Sequence, residues 1–124
     1  YYSAADVFVT TPWYEPFGIT PLEAMACATP VVGARVGGIK TTVRDGKTGY
    51  LVPPRDPDAL AERLAHLYRH PELLQRMGTA GRQRALRSFT WGQVAERMCA
   101  LYGRVAQRAD RTTHRGAMTS TARA

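Results

Sequence analysis

The stretch from Asp6 to Ala34, DVFVTTPWYEPFGITPLEAMACATPVVGA, decides the fold. Asp6-Val7-Phe8-Val9-Thr10-Thr11 is a short apolar run rich in strand formers. Pro12 to Gly18 is rich in turn formers. Thr20-Pro21-Leu22-Glu23-Ala24-Met25-Ala26-Cys27-Ala28 is built of good helix formers, with Pro21 suited to the first helical position. Pro30 to Ala34 is a second candidate for a buried strand. Working outward, Gly37-Gly38 punctuates a loop, and Thr48-Gly49-Tyr50-Leu51-Val52-Pro53 is a third short strand framed by breakers. Strands alternating with helical segments predict an α/β fold with a parallel sheet. Upstream, Tyr1-Tyr2-Ser3-Ala4-Ala5 runs directly into the first strand without an initiator Met, as expected of a piece of a longer sequence.

After Pro53-Pro54 the period becomes helical. Leu60, Leu64 and Leu67 follow an Asp56-Pro57 start at helical spacing. A second helix opens at Pro71 and carries Leu74, Met77 and Ala85 toward Phe89. A third follows Thr90 as its N-cap, with Val94, Met98, Leu101 and Val105 on one stripe, and these stripes are expected to be core faces. From Ala109 the chain has almost no large apolar residue to offset its ordering entropy, so 109–124 is expected to be a disordered basic tail behind one unit over 1–108.

The 124 residues, 44% apolar and 22% charged, are ordinary globular composition and fit a single core. No apolar run approaches the roughly 18 to 20 residues of a membrane-spanning helix, and no signal peptide is apparent, so a cytoplasmic protein is expected. Cys27 and Cys99 form neither a disulfide framework nor a metal cluster, and both are expected to be buried. The net charge is +7. Residues 1–60 hold five bases and six acids, whereas residues 61–124 hold twelve bases and four acids, so all the excess lies in the second half. Those bases are scattered arginines without interleaved aromatics, which reads as a solvated face and not as a nucleic-acid platform.

The chemistry concentrates in Glu15-Pro16-Phe17-Gly18-Ile19-Thr20-Pro21-Leu22-Glu23, where two carboxylates bracket a loop-to-helix junction. An open helix start points unpaired N–H groups outward, and its dipole supplies about half a positive charge. Such a junction binds phosphate. Gly18, lacking a Cβ, lets a ligand approach the backbone, so the amides around Gly18, Ile19 and Thr20 suit a pyrophosphate. A carboxylate before the turn can accept from sugar hydroxyls, and one a turn into the helix from ribose hydroxyls. Against this stands a purely local reading. Thr20-Pro21-Leu22-Glu23 also matches a capping box, in which Glu23 only turns back onto the helix start, while Glu15 would be a loop acid and Gly18 a turn glycine.

The run EPFGITPLEAMACATP from Glu15 to Pro30, together with Val31-Val32-Gly33-Ala34-Arg35-Val36-Gly37-Gly38 and Asp45-Gly46-Lys47-Thr48-Gly49-Tyr50-Leu51-Val52-Pro53, closely resembles the retaining glycosyltransferases of family 4. The likeness covers residues 1 to about 107 and matches the second half of their C-terminal, nucleotide-binding domain. It implies a partial Rossmann-like sheet of the GT-B architecture followed by helices, and transfer of a sugar from a nucleotide-diphosphate sugar to a sugar, lipid or small-metabolite acceptor. The resemblance assigns Glu15 to the transferred sugar's hydroxyls, as the group nearest to a catalytic role. The backbone at Phe17 and Gly18 would lie against that sugar, the amides of Ile19 and Thr20 would hold the diphosphate, and Glu23 would take the ribose hydroxyls. No metal or cofactor is implied. Both glutamates would be positioning groups, unlike the acid and nucleophile of glycoside hydrolases.

Two departures are visible. Ala28 stands where relatives often have Gly, a change expected to favour helix and to matter little. The relatives' basic diphosphate-binding residues, base-binding loop and N-terminal domain have no counterpart in this sequence, and Arg35, Lys40, Arg44 and Lys47 do not replace those cations. The chain alone is therefore expected to bind donor weakly and not to turn over. The alternatives are a non-catalytic module that binds an anionic partner through its basic C-terminal helices, and a product too incomplete to fold.

Overall fold

The computed structural model describes the backbone of residues 1–120 and the side chains of 1–108. The disordered tail expected over 109–124 lies outside the residues described in full. Two compact units divide the chain, Tyr1–Phe89 and the segment from Thr90 onward.

In the first unit a 3-10 turn, Tyr2–Ala4, leads to strand β1 (Phe8–Thr10), helix α1 (Ile19–Ala26), strand β2 (Val31–Ala34), helix α2 (Ile39–Thr42), strand β3 (Gly49–Val52), and helices α3 (Pro57–Arg69) and α4 (Pro71–Ser88). The strands are parallel in the order β1-β2-β3, with Val9 opposite Val32 and Val32 opposite Tyr50. All four residues of β2 are buried, as expected of a central parallel strand covered on both faces. Successive side chains alternate between those faces. Val31 and Leu51 join Met25, Ile39 and Ala85 in one cluster, while Val32 and Val52 join Leu67 and Met77 in another.

The expected helix signals act as read for α3 and α4. The Asp56 carboxylate accepts the Ala59 N–H at 2.9 Å, with Pro57 in the first turn, a pairing that satisfies one otherwise orphaned amide. Helix α4 opens at Pro71 and closes before Phe89. Its Gly78 and Gly81 lie against α1: a Cβ on Gly78 would sit 1.9 Å from the Ala28 carbonyl oxygen. Arg84 reaches from α4 to α2, donating from Nε to the Thr42 carbonyl and from its terminal guanidinium nitrogen to the Thr41 carbonyl, each at 2.8 Å. It satisfies carbonyls that the four-residue helix leaves open. Burial, and then the Arg44 charge, lower the Arg84 pKa below its ordinary value.

Helix α1 departs from expectation at both ends. Pro21 is its third residue, since the helix begins at Ile19, and Cys27 is already the C-cap. Ala28 therefore lies outside the helix, at φ 63°. The Ala28 N–H donates to Met25 O and the Thr29 N–H to Ala24 O, both at 3.0 Å, which is a Schellman closure with alanine in the left-handed position that glycine usually fills. So Ala28 does not trade freedom for helix propensity; it carries strain.

Cys27 and Cys99 are exposed, contrary to the expected burial. In the second unit α5 (Trp91–Ser120) starts after Thr90, whose hydroxyl accepts the Gln93 N–H at 3.4 Å, so the N-cap is as read. Its apolar stripe is not a core face: Val94, Met98, Leu101 and Val105 are 40–58% exposed. No helix among the described residues is long and apolar enough to cross a membrane.

Two substitutions with opposite signs test this geometry. Ala28→Gly should raise the urea midpoint, because removing about 1–2 kcal/mol of left-handed strain outweighs the roughly 0.5–1 kcal/mol entropy cost of glycine. Gly78→Ala should lower it despite a helix-propensity gain of about 1 kcal/mol, because the new methyl meets backbone.

Candidate functional site

The loop after β1 leaves the carboxyl end of the sheet and delivers the chain to the start of α1, the side on which open parallel sheets bind ligands. Glu15 organises it. Its Oε1 accepts the Phe17 N–H at 3.2 Å and the Gly18 N–H at 3.0 Å, and its carbonyl accepts the Gly38 N–H at 2.8 Å. Glu15 is thus not a free loop acid. Its Oε2 makes no hydrogen bond among the described residues.

The Gly37-Gly38 loop presses backbone against backbone here. A Cβ on Gly37 would lie 1.9 Å from the Glu15 oxygen, and one on Gly38 would lie 2.3 Å from the Phe17 carbonyl. Gly18 is the N-cap of α1 at φ 71°, with no side-chain cap. Its missing Cβ would meet Gly38 and Ile39 backbone at 3.1 Å and the Thr42 hydroxyl at 3.2 Å. The expected reason for this glycine, room for a ligand, is corrected: the space is filled by protein, and the dihedral angle excludes most side chains. The Gly18 amide is also engaged by Glu15 rather than presented outward.

The amides of Ile19 and Thr20 open α1 with no helical partner, and both residues are exposed. Phe17 beside them is 72% exposed. Glu23 stands three and four residues further on, a spacing that shares a helix face with both. It does not close a capping box. Its Oε2 instead accepts the Tyr2 hydroxyl at 3.0 Å, and burial, followed by the bond and charge of Glu23, raises the Tyr2 pKa. The structure so brings Glu15, Phe17, Gly18, Ile19 and Thr20 to one junction with Glu23 one turn away.

Sequence reasoning missed Tyr2, which is 21 positions from Glu23 and outside any motif. Of the basic residues weighed there, Arg35 is engaged with Asp45 at 2.6 Å, and Asp45 also accepts the Leu51 N–H at 3.0 Å, tying the loop before β3. No cluster of metal-ligating side chains occurs among the described residues. A cavity of about 260 Å³ lies further along the same loop, lined by Trp13, Arg55, Asp56 and neighbours. Another of about 620 Å³ lies beside Val7, Leu64 and Tyr68. Neither includes the six residues of the junction.

Comparison with known proteins identifies the family. The family model of the group 1 glycosyl transferases matches residues 1–84. The chain belongs to that family. It is 46% identical over 109 residues to the α-maltose-1-phosphate synthase of Mycolicibacterium smegmatis, covering 83% of this chain and 28% of that protein. It is 43% identical to the D-inositol 3-phosphate glycosyltransferase of Corynebacterium diphtheriae, covering 82% and 24%. Among solved structures, sucrose-phosphate synthase of Thermosynechococcus elongatus superposes with a TM-score of 0.80 at 42% identity over 87% of this chain and 27% of that one. Anabaena Alr3699/HepE, solved in complex with UDP, gives 0.78 at 25% identity over 82% and 28%. The chain thus spans about a quarter of these group 1 relatives, and the expected α/β sheet with following helices is part of a GT-B glycosyltransferase fold.

Gly18 and Gly46 share a φ of 71°, but nothing lies within 4 Å of a Cβ at Gly46. Gly46→Ala should therefore lose only about 1 kcal/mol, from backbone strain. Gly18→Ala should lose clearly more in the same urea titration, and the difference measures how tightly the junction is packed.

Proposed function

We propose that this chain is the donor-holding side of a retaining glycosyltransferase. The observation that carries the reading is the start of α1 at the exposed residues Ile19 and Thr20, whose amides have no helical partner, between the carboxylates of Glu15 and Glu23. A diphosphate placed there meets N–H donors and the positive end of a helix dipole, which stabilise the charge that develops on the leaving group. Glu15, its Oε1 held by two amides, keeps Oε2 for a hydroxyl of the transferred sugar, with the Phe17 and Gly18 backbone alongside. Glu23 takes the ribose hydroxyls. UDP in the Anabaena neighbour supports a nucleotide-sugar donor, as does UDP-glucose in a second structure of it.

For the acceptor we favour a phosphorylated sugar or polyol over a lipid, because maltose 1-phosphate, D-inositol 3-phosphate and sucrose phosphate figure in the names of three relatives. The remainder of such an enzyme supplies the basic diphosphate-binding residues, the base-binding loop and the N-terminal domain that forms the opposite wall of the cleft. A cytoplasmic setting fits two exposed cysteines left as thiols.

Calorimetric titration of the 124-residue chain with UDP and UDP-glucose tests this. Weak saturable binding is expected, with a Kd on the order of 1 mM. Glu23→Gln should weaken both ligands, whereas Glu15→Gln should remove only the advantage of UDP-glucose over UDP. Binding that collapses with salt and survives both changes would favour the anionic-partner alternative. Steady-state UDP release by the chain, lost in Glu15→Ala, would overturn its expected inactivity.

A further inference from the structure

Glu23 sits on an exposed face, and a glutamate there samples several rotamers, each at a cost in entropy to fix. Recognition of two vicinal hydroxyls needs the carboxylate in one orientation. In this structure the only hydrogen bond to that carboxylate among the described residues comes from the Tyr2 phenol, at 3.0 Å.

Tyr2 is itself held from three directions. Its carbonyl accepts the Thr29 hydroxyl at 2.6 Å. Its ring meets Phe8 edge to face, with centroids 5.3 Å apart. It packs against the cluster that contains Met25 and Val31. The turn Tyr2–Ala4 therefore presents a rigid donor to a flexible acceptor. A phenol donates one proton, so it occupies Oε2 and leaves Oε1 to a ligand. It also leaves the carboxylate charged, which a lysine in its place would neutralise as a pair. Burial, and then the Glu23 carboxylate, raise the Tyr2 pKa, which favours the protonated donor.

We propose that Tyr2 is a positioning residue for donor recognition: its phenol fixes the Glu23 carboxylate in the orientation that meets the ribose hydroxyls, and so sets the preference for a ribonucleotide over a deoxyribonucleotide. This rests on the reading of Glu23 given above.

The test is the ratio of affinities of the 124-residue chain for UDP and for 2′-deoxy-UDP, with the urea midpoint measured in parallel. The unchanged chain should favour UDP by roughly tenfold, the size of a hydrogen bond to a charged group. Tyr2→Phe keeps the ring and its packing, and should cut that ratio to about threefold or less while UDP still binds. Thr29→Val, which loosens Tyr2 without removing the phenol, should lower the ratio by a smaller factor and stands in if Tyr2→Phe does not fold. An equal loss for both nucleotides would show a merely structural role and overturn the proposal. So would an unchanged ratio in a folded Tyr2→Phe. Absence of any preference in the unchanged chain would instead sink the ribose role of Glu23, and the inference with it.

Discussion

The structure turns on a contact between two stretches of backbone, Gly37-Gly38 against Glu15-Phe17. The Gly38 N–H reaches the Glu15 carbonyl at 2.8 Å, and neither glycine has room for a Cβ. This contact brings the loops after β1 and β2 together outside the carboxyl ends of the strands. It also sets the direction in which the chain enters α1, because Gly18 must turn left-handed against the start of α2. Ile19 and Thr20 open α1 at exposed positions directly after that turn.

Support for the contact comes from well behind it. Arg84 on α4 grips the Thr41 and Thr42 carbonyls, and the Thr42 hydroxyl lies only 3.2 Å from where a Gly18 Cβ would be, closer than ordinary contact. Helix α4 in turn is set against α1 by Gly78 and the Schellman closure at Ala28. A four-residue helix such as α2 has too few internal bonds to hold itself, so a guanidinium from a distant helix stabilises it. The junction is thereby braced from α4. Rigidity matters where binding depends on a few amides, since ordering them on binding would consume much of the affinity.

Much of this was legible in the chain itself. The strands declared themselves as apolar runs bounded by Pro and Gly, α3 by Asp56-Pro57, α5 by Thr90, and the candidate site by two carboxylates around a glycine. What escaped reading has a common cause. Periodicity says which residues share a face, not whether anything covers it, so the stripe from Val94 to Val105 read as core and is exposed. Helix propensity ran through Cys27 and Ala28, but the helix stops where Thr29 can close it. The bonds of Tyr2 to Glu23 and of Arg84 to α2 span 21 and 42 or more positions, and no local spacing encodes them. Gly18 was recognised as special, yet for ligand approach, when packing and a positive φ demand it.

The proposed diphosphate site, flanked by two acids, is electrostatically awkward, because a carboxylate beside a phosphate repels it by several kcal/mol at about 4 Å in an effective dielectric near 20. Both acids here are bonded in ways that reduce the conflict. Two amides draw the charge of Glu15 inward, and the Tyr2 phenol polarises that of Glu23, while each has one oxygen without a hydrogen bond among the described residues. A neutral donor is the suitable partner for such an acid: it orients the group without cancelling the charge that makes it a strong acceptor. Arg35 is already engaged by Asp45, which leaves it less able to offset the remaining repulsion. In the proposed function the helix start and its glutamates therefore determine which ligand is recognised and how it is oriented, and the strength of its retention depends on positive charge that the rest of such an enzyme supplies.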